Sequence, residues 1–495
     1  MRLTEVLKGK GHLVTGVAGA RDCNITGLNC DSRRVEPGFL FAAIPGMRMD
    51  GRKFIPDAIQ RGAIAVLGPI GTEVGCDYSK IPLIVDEEPR RLYALMAARF
   101  FQHQPETVVA ITGTSGKTST SHFLRQIWNT AGWRAAAMGT LGLQVTDPAN
   151  ESLLSGAEYS LTTPDSVDLH QQLRELWKLG VERLAMEASS HGLYQRRLDG
   201  VRVSVAAFTN LSHDHLDYHR TEAEYLLAKL RLFDDLLIDG GTAVVNADQS
   251  CAEKVVSVCR KRGLSIISFG VNGDRVCLTK LSSQDGGQRM SLEIDGRSHQ
   301  VFLPLIGRFQ ASNALCAASL ALATGTEVSA VVSALSCLQD VPGRMQLVGR
   351  NAVGGSVYVD YAHKPDALRH ALQALRHHTC GKLIVLFGCG GDRDVEKRPE
   401  MGRLASELAD KVFITDDNPR GERPADIRSA IVADCPQAVE IGNRGDAIAA
   451  AMEILTDGDV LLVAGKGHET GQIVGEEIVP FDDSEVVRSL IRGST

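Results

Sequence analysis

The sequence predicts an α/β fold of three domains on mostly parallel sheets, and three observations point to it. Short apolar runs alternate with amphipathic stretches along the 495 residues, the signature of strands joined by helices. Polar clusters repeatedly follow the apolar runs, as expected where parallel sheets bind ligands beyond the carboxyl ends of their strands. The length suits roughly two to four domains.

The first domain is expected at 1–90, closing near Ile84-Val85-Asp86-Glu87-Glu88-Pro89, and the stretch through Arg99-Phe100-Phe101 reads as a helix. The central domain is expected at 91–341 and the last at 342–495, with a strand near Val357-Tyr358-Val359-Asp360. Central strand ends fall at Ile111-Thr112-Gly113, Ala185-Met186-Glu187 and Ala207-Phe208-Thr209-Asn210. Later ends fall at Val359-Asp360, Leu386-Phe387-Gly388, Phe413-Ile414-Thr415 and Val463-Ala464-Gly465.

Composition narrows the class. The chain is 44% hydrophobic and 23% charged, ordinary for a water-soluble protein. Its net charge of -7 argues against a general nucleic-acid binder. Eleven cysteines without a C-x-x-C pair suggest reduced thiols. No run approaches the ~18 apolar residues of a membrane span, and the N-terminus lacks a signal-peptide core. A cytoplasmic protein with no membrane span is expected.

The clearest motif is Gly113-Thr114-Ser115-Gly116-Lys117-Thr118-Ser119, between the strand Val108-Val109-Ala110-Ile111 and a helix with Phe123, Leu124, Ile127, Trp128 and Ala131 on one face. Glycines let backbone N–H groups approach phosphates. The helix N-terminus and Lys117 add positive potential, and the Thr118 hydroxyl can ligate Mg²⁺. The spacing is a short variant, because Ile111 stands at the first glycine position of the usual motif. A glycine turn that merely starts a helix is the plainer alternative.

Glu187 ends an apolar run and precedes Ser189-Ser190-His191-Gly192. It can hold Mg²⁺ directly or through water, although a lone acid there is more often simply solvated. The segment Asn210 to His219 packs three His and two Asp into ten residues, among them His215. Its spacing fits no familiar zinc site, so phosphate and Mg²⁺ contacts are the favoured reading. Lys229 shares a helical face with Tyr225, Leu226, Leu232 and Phe233, in a helix expected over 221–237. The pattern favours snorkelling, with the amine reaching water. The sharper reading is a desolvated amine open to covalent modification.

Taken in order, these motifs resemble the Mur ligases through all three domains. The resemblance rests on Asp31-Ser32-Arg33, the loop at 113–118, Thr162-Thr163-Pro164-Asp165, Glu187 to Gly192 and Asp214 to His219. It continues through Gly307 to Asn313, Gly343-Arg344-Met345, Asp360 to His363, Gly390 to Arg393, Asp417 to Arg420 and Gly465 to Glu469. It implies a central P-loop-type ATPase domain and a Rossmann-like C-terminal domain. It also implies ligation through an acyl phosphate, with ATP as co-substrate and Mg²⁺, in peptidoglycan precursor synthesis.

The resemblance assigns catalysis to Lys117, Glu187, His215 and Lys229, and metal to Thr118, Glu187 and a carbamylated Lys229. Asn313, Arg344 and Asp360 would join the loop Gly113 to Ser119 in holding ATP. The acceptor, UDP-MurNAc-L-Ala-D-Glu, falls to Cys30, Ser32, Met47, Arg48, Met49, Thr162, Thr163, Ser189, Gln195 and Arg197. Cys30 stands where relatives often carry Leu, and Leu161 replaces an Asn of some relatives. Ser32 or Thr163 taken alone would more often be turn chemistry.

The amino acid is read from Arg393, Asp417, Asn418, Pro419, Arg420, Gly465 and Glu469. Diaminopimelate-adding members carry this Asp-Asn-Pro-Arg run. A forked guanidinium suits the distal carboxylate of meso-diaminopimelate, which lysine lacks. A loop salt bridge between Asp417 and Arg420 is the bland alternative. Competing functions are a ligase for another amino acid, D-Ala-D-Ala or folylpolyglutamate, a P-loop switch or kinase, and a non-catalytic binder. A monomer is expected.

Overall fold

The computed structural model describes residues 1–8, 13–15, 22–46, 49–75, 80–146, 161–212 and 218–493. Two units make up the chain: Met1–Phe269 with Ser319–Glu327, and Gly270–Ala318 with Val328–Thr495.

The first unit opens with strands β1 (Leu13–Thr15), β2 (Gly27–Asn29), β3 (Phe39–Ala42), β4 (Ala65–Pro69) and β5 (Leu83–Asp86). Their order is β1-β5-β4-β3-β2, parallel except for the β1–β5 pair. Leu40, Ala42, Ala65, Leu67 and Ile84 are buried from this sheet, beside Leu92, Tyr93, Met96 and Ala97 of the helix Pro89–Phe101. The expected boundary near residue 90 falls at the start of that helix. Gln102 ends it in a left-handed conformation.

The second sheet of this unit holds β6 (Thr107–Thr112), β7 (Ala135–Gly139), β8 (Gly142–Val145), β9 (Arg183–Glu187), β10 (Val203–Phe208), β11 (Leu237–Asn246) and β12 (Ser265–Gly270). The order β12-β11-β10-β6-β9-β7-β8 places β6 between β9 and β10. All neighbours are parallel except the β7–β8 hairpin. β6 has a parallel neighbour on each edge, and its run of apolar residues is buried throughout, as in central parallel strands. The strands beside β6 were added on opposite sides, and the crevice beyond their carboxyl ends is where such sheets bind ligands.

The second unit has an antiparallel meander, β13 (Val276–Gln284), β14 (Gly287–Ile294) and β15 (Arg297–Leu303). It also has a sheet of β16 (Gln346–Arg350), β17 (Ser356–Asp360), β18 (Leu383–Phe387), β19 (Lys411–Ile414), β20 (Val439–Glu440) and β21 (Val460–Ala464). Its order is β16-β17-β21-β18-β19-β20, parallel but for the edge strand β16. A ribbon of β22 (Gly471–Val474) and β23 (Glu477–Pro480) follows. The expected boundary near 341 lies inside this unit.

Candidate active site

In the first unit the carboxyl ends of β6, β7, β9 and β10 gather one set of polar groups. Gly113 leaves β6 at φ +145°, and a Cβ there would sit 1.9 Å from Thr209 Oγ1. Only glycine lets the two strand exits lie this close. Gly116, left-handed at φ +83°, caps the helix Lys117–Thr130. The loop is held by its neighbour: Thr114 N donates to Asn210 O at 2.9 Å and Ser115 N to Asn210 Oδ1 at 2.8 Å. Thr209 Oγ1 donates to Ser115 O at 2.7 Å. Thr114 Oγ1 donates to Ser212 O and accepts from Ser212 N and from Tyr225 OH. Lys117 Nζ donates to Gly113 O at 2.9 Å and Thr114 O at 2.8 Å, while Thr118 and Ser119 are buried in the first helical turn.

The helix expected over 221–237 is α-helical over Glu222–Arg231, capped by Thr221, and becomes a π-turn over Leu232–Leu236. Lys229 does not snorkel. It is 1% exposed, and its Nζ donates to Gly113 O at 2.8 Å with the Tyr225 ring 4.2 Å away. The helix face opposes the phosphate-loop exit rather than bulk water, so the stem has no route to solvent. The amine is enclosed between the phosphate-loop exit and the Tyr225 ring.

Glu187 is buried at the end of β9. Thr140, which the motif reading missed, donates to Glu187 Oε1 from its backbone N at 2.9 Å and to Oε2 from its hydroxyl at 3.2 Å. Gly139 makes room: a Cβ there would meet Glu187 Oε1 at 2.1 Å. The Thr140 and Thr162 hydroxyls are 3.2 Å apart. Thr163 Oγ1 donates to Glu187 O and bonds Ser189, and Arg197 donates to Thr163 O at 2.7 Å and Gln195 Oε1 at 2.8 Å. Thus Thr162, Thr163, Ser189, Gln195 and Arg197 form one connected patch beside Glu187. Cys30, exposed, lies 3.7 Å from Asp165, and Ser32 is buried in a short 3₁₀ turn. Met49 and Leu161 are exposed. Met47, Arg48 and His215 lie outside the described residues, as do His213 to Asp217. Among the described residues, no cluster of three His, Cys, Asp or Glu is arranged to hold a metal.

In the second unit, Asp360 ends β17. Its oxygens accept from Met345 N at 2.6 Å and Ala362 N at 2.8 Å. Burial pushes its carboxyl up to about 6, against the lowering influence of Arg344. Arg344 lies over the Tyr361 ring at 4.5 Å and bonds His468 Nδ1 at 3.2 Å. Asn313 is buried and donates to Gln310, which itself donates to Arg344 O. The three residues expected at the nucleotide therefore gather on one side of this unit.

The loops after β18, β19 and β21 meet at Asp417-Asn418-Pro419-Arg420. Asp417 is buried, and desolvation raises its pKa while Arg444 and Lys466 oppose the rise. Gly465, at φ +112°, lies so close that a Cβ would be 2.6 Å from Asp417 Oδ2. Arg420 has φ +51° and donates from Nη1 to Gly391 O at 3.0 Å. No ion pair links Asp417 to Arg420, and no carboxylate lies within ion-pair distance of Arg420 among the described residues. The bland salt-bridge reading of this loop is therefore not what the structure has. Asn418 Nδ2 donates to Glu469 Oε2 at 2.8 Å. Arg393 is exposed on the neighbouring loop.

Family models match as the Mur ligase family catalytic domain at 24–101, the Mur ligase middle domain at 111–321 and the Mur ligase glutamate ligase domain at 343–467. The chain belongs to the Mur ligase family. Within it, two relatives named UDP-N-acetylmuramoyl-L-alanyl-D-glutamate--2,6-diaminopimelate ligase match nearly end to end. That of Bradyrhizobium diazoefficiens is 48% identical over 99% of each chain, and that of Mesorhizobium japonicum 49% over 97% of each. A solved structure of a ligase with the same name has a TM-score of 0.68 at 32% identity, covering 97% of this chain and 99% of that one. The MurF ligase of Thermotoga maritima in complex with ADP shares the fold, with a TM-score of 0.64 at 18% identity, covering 96% of this chain and 99% of that one.

Proposed function

We propose that this chain is an ATP-dependent ligase that joins meso-2,6-diaminopimelate to the D-Glu of UDP-MurNAc-L-Ala-D-Glu, a step of peptidoglycan precursor synthesis. The observation that carries the amino-acid assignment is Arg420, a half-buried guanidinium with no carboxylate partner among the described residues, bonded to Gly391 O in the loop cluster that also holds Asp417 and Glu469. A zwitterionic distal end supplies the missing carboxylate and an ammonium for the acids. Lysine in this place would leave Arg420 unpaired. Full-length likeness to named diaminopimelate ligases supports the same reading.

A carboxylate is a poor acyl donor, because oxide is a poor leaving group. Its oxygen attacks the γ-phosphorus of ATP, ADP departs, and an acyl phosphate remains. The neutral amine of diaminopimelate adds to the acyl carbon, phosphate leaves with the C–O electron pair, and the nitrogen loses a proton. The protein positions the partners and neutralises charge. Backbone N–H groups at the start of the helix Lys117–Thr130 would meet the phosphates, with Lys117 exchanging the Gly113 and Thr114 carbonyls for phosphate oxygens and His215 also assigned to the transferred phosphoryl group. Arg344, Asn313 and Asp360 hold the rest of the nucleotide. The patch from Thr162 to Arg197, with Cys30, Ser32 and Met47 to Met49, holds the acceptor.

Mg²⁺ fits the oxygen donors present at Thr118 and Glu187. Lys229 as an amine does not fit, but as a carbamate it would offer oxygen. When bound, the ion would offset charge on the transferred phosphoryl group. A monomer in the cytoplasm, with three domains at 1–90, 91–341 and 342–495, completes the proposal. No helix among the described residues is long and apolar enough to cross a membrane.

The test is ADP release from ATP and the UDP-dipeptide, with and without meso-diaminopimelate, and with L-lysine in its place. Release independent of any amino acid would sink the ligase reading. Equal use of lysine would sink the role of Arg420.

A further inference from the structure

The short loop Gly465–Glu469 carries two side chains that the reaction scheme above does not use, and each binds a group that the scheme does use. Lys466 has no exposed surface. Its Nζ donates to Asn418 Oδ1 at 3.2 Å, Glu469 Oε2 at 3.2 Å and Gly471 O at 2.6 Å. Asn418 is thereby fixed in one orientation. Its Oδ1 also accepts from Ile473 N at 2.9 Å, and its Nδ2 donates to the same Glu469 oxygen. Both donors converge on Glu469 Oε2, on a side chain that keeps a third of its surface.

Two residues on, His468 faces the other way. Its Nδ1 lies 3.2 Å from Arg344 Nη1, and its ring is 5.1 Å from Tyr361, over which Arg344 is stacked. Burial, and then Arg344, push its imidazole down to about 3, so the ring is neutral and Nδ1 can accept from the guanidinium. The backbone permits this because Gly343 and Gly467 lack side chains. A Cβ on Gly343 would be 2.3 Å from His468 N, and one on Gly467 would be 2.8 Å from Tyr361 Cβ.

We propose that Lys466 and His468 are positioning residues. Lys466 sets Asn418 and Glu469 for the amino-acid substrate, and His468 sets Arg344 for the nucleotide. The proposal rests on the ligase reading above. A buried ammonium with three acceptors from two stretches of chain is costly to remove from one conformation. A neutral imidazole bonded to a stacked guanidinium fixes the fork that meets a phosphate or ribose.

The experiment is a crossed comparison in the full-length enzyme, with KM for diaminopimelate, KM for ATP and calorimetric ADP binding as readouts. Lys466→Met is expected to raise the diaminopimelate KM about tenfold or more and to leave the ATP KM and ADP affinity within about twofold. Lys466→Gln, which keeps two N–H donors but no charge, takes its place should Met impair folding, with the same split. His468→Phe is expected to weaken ADP binding about fivefold or more and to spare the diaminopimelate KM. His468→Asn, whose Oδ1 stands in for Nδ1, restores ADP binding. Any other pattern, including equal movement of both substrates in either variant, overturns the proposal. Failure of the ligase reading is seen separately, as wild-type ADP release that ignores diaminopimelate.

Discussion

The ammonium of Lys229 donates to the carbonyl oxygen of Gly113 at 2.8 Å, joining the helix Glu222–Arg231 to the first residue of the phosphate loop. Some 116 residues of chain separate the two groups. A carbamate forms only on an amine that has lost its proton, and Lys229 is the buried amine beside the phosphate loop. Lys229→Ala should therefore abolish ligation, and short carboxylates added at high concentration should restore part of it by replacing the carbamate oxygens. Full turnover in the unrescued variant would refute the carbamate.

Arg420 should separate the two small substrates. Arg420→Ala is expected to raise the KM for diaminopimelate about a hundredfold, the scale of losing a charge-assisted fork. The KM for ATP should stay within about threefold, since the loop at 113–119 is untouched. Steady-state kinetics with each substrate varied in turn decides this, and equal losses on both would contradict the assigned contact.

Gly139 reports on Glu187. An added methyl at residue 139 would overlap the carboxylate, whose Oε1 lies 2.1 Å from that Cβ position. Gly139→Ala should push Glu187 off Thr140 and lower kcat about a hundredfold, as small displacements of catalytic groups do. The melting temperature, read by calorimetry, should fall by only a few degrees. A variant with wild-type kcat would remove Glu187 from the catalytic set.

Asp360 gives a pH signature. Its carboxyl is raised from 3.8 to about 6 by burial. A raised folded value means the protonated form is favoured in the native state. That contribution is complete below pH about 4 and is lost as pH climbs through 6. Asp360→Asn does not titrate. Its stability relative to wild type should improve between pH 4 and 6.5, by about 2 kcal/mol. Urea melts of both proteins at the two pH values test this, and a constant difference would contradict it.

The phosphate loop was readable because its chemistry is local: glycines, a lysine and a threonine in consecutive positions after an apolar run. The strand-end rule located Glu187, Asp360, Asp417 and Gly465, because alternation of strands and helices is written along the chain. Lys229 misled the periodicity argument. Helical spacing says which face a residue occupies, but not what lies opposite that face. Thr140 follows Ala135-Ala136-Ala137-Met138-Gly139, a run of the kind that flagged Glu187, so the same rule was sufficient to find it. Arg444 had no such signal. Arg444 is buried against Asp483 and donates to Ala464 O at 2.9 Å. Partners this far apart in sequence meet only once the second unit's sheet has formed.

The hydroxyl of Thr114 is tied to Ser212 and the backbone of Ser115 to Asn210, so the loop's curvature is set by the segment that leaves the adjoining strand. A recess that keeps its own shape loses little conformational freedom when an anion enters it. Competing triphosphates should then arrive at similar speeds and differ mainly in how long they stay.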